Sequence, residues 1–282
     1  MVLVTLAAVF VALLFLIFKS FEQRNVALLP AIVINYVVAL LCGLAISRPW
    51  AAGDLAPLWT PSLIMSVLFI TVFYLTGLSA QRAGIAATTV ASKMSLVLTV
   101  AFSVVALGEA QSMLGWMGIA LAIAGVVLSS WSNDGRGMHR AWALPVLLFV
   151  GNAAIDIGLA WTQRMRTTPL TEAVLPTLVF GMAGVLGLIG VYARREQQAF
   201  REPRTWVGGL LLGTVNYGSL YFVVKALARS GWPSSSVFPL MNIGVIVFGT
   251  VGSVILFRER PRPLQLAGMA TALLAMVLIL AA

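Results

Sequence analysis

The chain has one histidine, His139, and one cysteine, Cys42, in 282 residues. Metal hydrolysis needs clustered His, Cys or acidic ligands, and no H-E-x-x-H run or paired intramembrane aspartate occurs. No metal site and no cofactor are therefore expected. A lone Cys42 inside an apolar run forms no internal disulfide and says nothing about redox compartment. Acids are scarce as well, nine Asp and Glu against eighteen Lys and Arg, and charged residues reach only 10%. Soluble domains carry about 25% charged and about 45–50% apolar residues, whereas this chain is 60% apolar. That excludes a water-soluble globule, a nucleic-acid binder and a disordered chain. A serine hydrolase would lack a base within the apolar runs, and no G-x-x-x-x-G-K-S/T run is present to cradle ATP phosphates. The sequence does not read as an enzyme.

What remains is long apolar runs. A membrane helix needs about 20 mostly apolar residues, and ten runs qualify, near 2–18, 27–46, 58–80, 84–107, 111–131, 141–162, 170–192, 205–227, 233–257 and 263–281. The opening MVLVTLAAVF has no basic segment before it and no small-residue cleavage site after it, so it reads as a span rather than a signal peptide. Loops after odd-numbered spans carry twelve Lys and Arg, and loops after even-numbered spans carry four, namely Arg48, Arg164, Arg166 and Arg229. By the positive-inside rule the odd loops are cytoplasmic and both termini lie outside. The net charge of +9 is thus a topology signal.

The sequence also resembles itself. Tyr74 to Val105 can be laid on Tyr221 to Gly252 at a constant shift of 147, which puts Arg82, Ala83 and Gly84 on Arg229, Ser230 and Gly231, Val90 on Val237 and Met94 on Met241. After a three-residue insertion Leu107, Gly108 and Glu109 fall on Phe257, Arg258 and Glu259, and Gly118 falls on Gly268. Pro30 resembles Pro176 in the same way. The expected organisation is a first five-helix repeat over 1–131, a linker over 132–140 and a second repeat over 141–282. An odd number of crossings turns the second repeat upside down relative to the first, the inverted arrangement of secondary transporters. The expected fold class is an all-α membrane protein of ten transmembrane helices in two inverted five-helix repeats.

The segment from Gly84 to Ser95 (GIAATTVASKMS), the Leu107-Gly108-Glu109 turn with the Gly-rich stretch from Trp116 to Trp131, and the repeated Phe257 to Arg260 turn followed by Leu264 to Leu280 resemble the two EamA-type repeats of the drug/metabolite transporter superfamily. The resemblance covers nearly the whole chain. It implies a ten-span carrier with a central cavity, moving small metabolites and often exporting amino acids, with the amino acid exporter branch as a neighbour. Small four-span members of that superfamily couple to protons through a glutamate in their first span. Val2 to Phe18 contains no acid, so that mechanism does not carry over.

Ionisable residues within spans are costly and face a bundle interior or a water-filled cavity. With a rise of about 1.5 Å per residue, Lys93 lies roughly 14 Å and Asp156 roughly 22 Å from the cytoplasmic end. Lys93, flanked by Ser92 and Ser95, reads as a cationic partner for a substrate carboxylate or for Asp156; the alternatives are snorkelling and a structural ion pair. Asp156 could receive a substrate amine, carry a proton or neutralise Lys93. Lys225 and Glu172 lie nearer span ends. A neutral set comprises Asn35 with Tyr36, Asn152, Asn216 with Tyr217, Tyr221 and Asn242. The four asparagines fall at similar depth on spans 2, 6, 8 and 9, which suggests either a substrate site or interhelical hydrogen bonding. Asn152 and Asp156, like Tyr217 and Tyr221, are spaced to share a helix face.

Other polar and aromatic positions read more structurally. Thr88, Thr89 and Ser92 match the neighbourhood of Ser234, Ser235 and Pro239, where proline removes a backbone bond and can kink a helix. Gly181, Gly184, Gly187 and Gly190 suit close helix packing. Trp50, Trp59, Trp131, Trp142, Trp206 and Trp232 sit near span ends as interface anchors. Glu109 and Glu259 are expected to cap helices or pair with arginine, and the Arg-rich 193–204 loop is a topology determinant that could also meet anionic lipid. The favoured function is export of amino acids or similar zwitterions across the inner membrane by alternating access, the protein acting as a monomer in the bilayer. Carriage of amphipathic cations, drugs or other metabolites is the alternative, with a channel or lipid scramblase behind it.

Overall fold

The computed structural model describes residues 2–98, 101–102, 112–130, 143–166, 174–229 and 234–281. Among them there is no strand. The α-helices are α1 (Val2–Gln23), α2 (Leu28–Ser47), α3 (Ala56–Arg82), α4 (Ile85–Met94), α5 (Met113–Ser130), α6 (Ala143–Arg166), α7 (Val174–Ala193), α8 (Pro203–Arg229), α9 (Ser234–Phe257) and α10 (Pro263–Ala281). Five of these segments are long and apolar enough to cross a membrane: 2–23, 28–51, 56–82, 174–193 and 237–257. The protein is an all-α membrane protein. Glu109, Glu172, His139, Ser230, Gly231, Trp131, Trp142, Trp232 and the 132–140 linker lie outside the described residues.

Helix boundaries follow local chemistry. Proline occupies the first position of α8 and α10, where its missing N–H has no intrahelical partner to lose. At the end of α1, Asn25 turns left-handed (φ 50°) and Val26 N–H reaches back to Phe21 O at 2.9 Å. The end of α7 repeats this with Arg195 (φ 58°) and Glu196 N–H on Val191 O, also at 2.9 Å. Both closures satisfy a carbonyl that the helix end would leave open.

The chain folds into two compact units. Unit 1 comprises 1–19, 75–153 and 218–282, and unit 2 comprises 20–74 and 154–217. Each unit therefore draws helices from both halves of the sequence, and the unit boundaries fall inside α1, α3, α6 and α8.

In unit 1, α5 and α10 pack antiparallel through small residues. A Cβ on Gly118 would meet Ile279 Cγ1 at 2.7 Å and Ala275 O at 3.1 Å, and one on Gly125 would meet Ala272 N at 2.9 Å and Gly268 O at 3.0 Å. Helix α1 runs parallel to α9, since Gly244 abuts Ala8 and Gly252 abuts Leu16. The core of this unit gathers Ala8, Phe15, Ile85, Val237, Met241 and Val245.

In unit 2, α2 and α7 are antiparallel. Thr177 faces Gly43, and Gly181, Gly184 and Gly187 then face Leu40, Tyr36 and Val33 in turn. This is the close approach expected of the glycine series on span 7. Helix α8 runs parallel to α2, with Gly209 against Ile34 and Gly213 against Val38.

Candidate functional site

In unit 1, Lys93 occupies the last turn of α4. It is half-buried, and its Nζ stands 6.0 Å from the ring centroid of Phe15 on α1, at the outer limit of a cation–π contact. The neighbouring hydroxyls divide into two kinds. Thr88 Oγ1 donates to Gly84 O at 2.7 Å and lies 2.8 Å from Ser79 Oγ. Thr89 Oγ1 is spent on Ile85 O and Ala86 O at 2.9 and 3.0 Å. Ser92 Oγ is buried and finds no hydrogen-bond partner among the described residues. The first two hydroxyls serve the backbone of their own helix. Ser92, beside Lys93, keeps its bonding capacity.

On α8, Tyr221 is exposed and carries Lys225 Nζ 4.3 Å above its ring. Tyr221 also meets the edge of Phe222 at 5.4 Å, and Phe222 packs on Phe10 at 4.9 Å. Asn242 is buried on α9. Asn152 is half-buried on α6, and its amide is turned back onto Leu148 O at 2.8 Å. The side chains of Ser234 and Ser235 lie outside the described residues, while Pro239 lies within α9.

In unit 2, two residues expected to share a site do meet. Asn216 Nδ2 on α8 donates to Asn35 Oδ1 on α2 at 3.1 Å. Asn35 is 0% exposed, and its own Nδ2 has no partner among the described residues. Tyr36 is turned elsewhere. Its ring lies 5.8 Å from Phe73 and 6.0 Å from Phe180, and its buried hydroxyl also lacks a partner among the described residues. Tyr217 is half-buried on α8, and Asp156 is exposed on α6.

A polar cluster sits where α4 begins. Glu259 Oε2 accepts the Ile85 N–H, and Glu259 Oε1 lies 3.5 Å from Lys19 Nζ. Lys19 donates to Gln81 O at 2.8 Å, and Gln81 Nε2 donates to Phe18 O at 3.1 Å. Glu259 thus caps a helix, as expected, but its cationic partner is a lysine. Gly84 precedes this helix at φ 88°, where a side chain would be strained. The glutamate of the Phe257 to Arg260 turn was the signal in the sequence; the lysine from α1 had none. A second contact with no such signal joins the turn just after α7 to α3. Arg194 donates to Tyr74 Oη at 2.8 Å and its guanidinium lies 4.8 Å over that ring.

No family model matches the chain. A protein of Haemophilus influenzae (strain KW20 / Rd), described as uncharacterized, is 24% identical over 263 residues, covering 89% of this chain and 87% of that one. A solved structure described as the crystal structure of a protein matches with a TM-score of 0.61 at 16% identity, covering 98% of this chain and 95% of that chain. The backbone arrangement is therefore one that an experimental structure also adopts.

Proposed function

We propose that the chain is a secondary transporter of the EamA type, with ten crossings in two inverted five-helix repeats. It moves small zwitterions, amino acids foremost, outward across the inner membrane through a cavity that opens to one side at a time. Lys93 holds the substrate carboxylate. Ser92, the preceding residue on the same helix, supplies a further polar contact.

The observation that carries this reading is the direction of the helices. Ten alternating crossings require helices of the same parity to run parallel and helices five apart to run antiparallel. Within the units, α1 is parallel to α9 and α2 to α8, while α2 is antiparallel to α7 and α5 to α10. The pairs α2/α7 and α5/α10 are also partners in the sequence repeat. On α4 a half-buried cation follows a buried hydroxyl that finds no partner among the described residues, and these polar groups on one helix support a carboxylate as the group recognised.

Uptake of a panel of labelled amino acids into proteoliposomes tests the proposal, comparing wild type, empty vesicles, Lys93→Ala and Lys93→Arg. Saturable uptake that Lys93→Ala abolishes and Lys93→Arg partly retains is the expected result. Normal uptake by Lys93→Ala removes Lys93 from the site. No amino-acid uptake by folded protein removes the substrate class and leaves cations and other metabolites as cargo.

A further inference from the structure

Helices α2, α3 and α7 of unit 2 leave a recess of about 320 Å³ whose wall is almost wholly apolar, near the lower end of the roughly 300–1,000 Å³ typical of ligand pockets. Leu40 and Leu44 line one side, Leu63 the second and Leu178 and Val185 the third. Thr177 contributes a hydroxyl, and that group is already tied to Ser47 Oγ at 3.0 Å. The recess opens on the protein surface, because Leu63 is 51% and Val185 60% exposed. On a membrane protein such a surface meets hydrocarbon. Water gains little in a void without polar partners, so an acyl chain is the natural occupant.

One end of the recess is equipped for a headgroup. Pro49 lines it, and the preceding residue, Arg48, is exposed at the left-handed end of α2 (φ 43°). Trp50 beside it is 74% exposed, and Trp59, on the wall, is 56% exposed. Tryptophans of this kind settle at the boundary between headgroups and hydrocarbon. An arginine at that level offers a fork of donors matched to a phosphate.

The geometry points to a site for one anionic phospholipid, its acyl chain in the α2/α3/α7 recess and its phosphate on Arg48. This site belongs to unit 2, whereas Lys93 belongs to unit 1, and it needs no substrate for transport.

Delipidated full-length protein, titrated with phosphatidylglycerol or phosphatidylcholine of matched chains, tests the site by native mass spectrometry. Wild type is expected to retain one phosphatidylglycerol per chain in preference to phosphatidylcholine. Leu63→Trp, which fills the recess, should lower retention of both lipids by about tenfold, equivalent to about 1.4 kcal/mol. Arg48→Gln should abolish the preference while keeping retention at the phosphatidylcholine level, and Arg48→Lys should restore much of it. Undiminished retention in folded Leu63→Trp, or an undiminished preference in Arg48→Gln, overturns the proposal. So does loss of a dimer peak in Leu63→Trp without loss of lipid, which would make the recess a contact between copies. If Leu63→Trp does not fold, phosphatidylglycerol brominated on its acyl chain gives a second measurement. It should quench wild-type fluorescence more than that of Trp59→Phe, and equal quenching overturns the site.

Discussion

The Glu259 carboxylate accepts the backbone N–H of Ile85 at 3.3 Å, joining residues 174 positions apart. A helix start exposes N–H groups that its own turn cannot satisfy, and an anion placed there is stabilised by the helix dipole. Gly84 has no side chain to serve as a cap, so the loop between α9 and α10 supplies one. Lys19 holds the same carboxylate from α1.

Glu259→Ala should therefore lower stability by about 1 kcal/mol, the usual size of a lost cap. Glu259→Gln keeps an acceptor and loses only the charge, so its cost should be roughly half that. Unfolding in mixed micelles checks both. Wild-type stability in Glu259→Ala would show that the cap is not held in solution.

The Asn35 and Asn216 pair should behave as an interhelical hydrogen bond within unit 2. Such bonds average about 0.6 kcal/mol in membranes, with a maximum of about 1.7. A double-mutant cycle with Asn35→Ala and Asn216→Ala should give a coupling in that range. A coupling of zero would mean that the two amides do not meet.

Gly268 should tolerate no side chain. A Cβ there would stand 2.8 Å from Ser129 Cα and 2.9 Å from Gly125 O, both backbone atoms that cannot swing aside. Gly268→Ala should cost about 1–3 kcal/mol, as overpacking does. At Gly190 a Cβ would meet only Leu29 Cδ2, at 3.4 Å, the tip of a movable side chain. Gly190→Ala should unfold within about 0.5 kcal/mol of wild type. Equal losses in the two variants would place the α5/α10 packing in doubt.

Cys42 offers a clean route to topology, being the sole thiol. In a Cys42→Ala background, Asp54→Cys should react with an impermeant maleimide from outside intact cells, whereas Gln198→Cys should react only after permeabilisation. The basic 193–204 loop carries four arginines, and by the positive-inside rule such a loop is expected on the cytoplasmic side. The reverse labelling pattern would invert the orientation.

How much of this was legible follows from which forces are local. A membrane helix satisfies its own backbone and needs only a continuous apolar run, so Val2–Gln23, Leu28–Ser47 and Val174–Ala193 could be read from composition to within a few residues. The glycines of α7 announced close packing because a missing side chain is visible in the sequence, although their partners Leu40, Tyr36 and Val33 were not. Asn35 and Asn216 shared a depth, and depth can be counted along the chain. That Asn35 turns to Asn216 while adjacent Tyr36 turns to Phe73 and Phe180 depends on which helix lies on each side.

The sequence by itself determined the solvent this protein lives in, because 60% apolar residues in long uncharged runs cannot be buried any other way at this length. It also marked where several helices lie, α2 and α9 to within a residue or two of their ends. Only the tertiary structure decided that Lys19 meets Glu259, that Arg194 meets Tyr74, and that each compact unit takes helices from both halves of the chain. Those pairings join segments far apart in sequence, and helices that all look alike to hydrocarbon are matched only by the shapes and few polar groups on their facing sides.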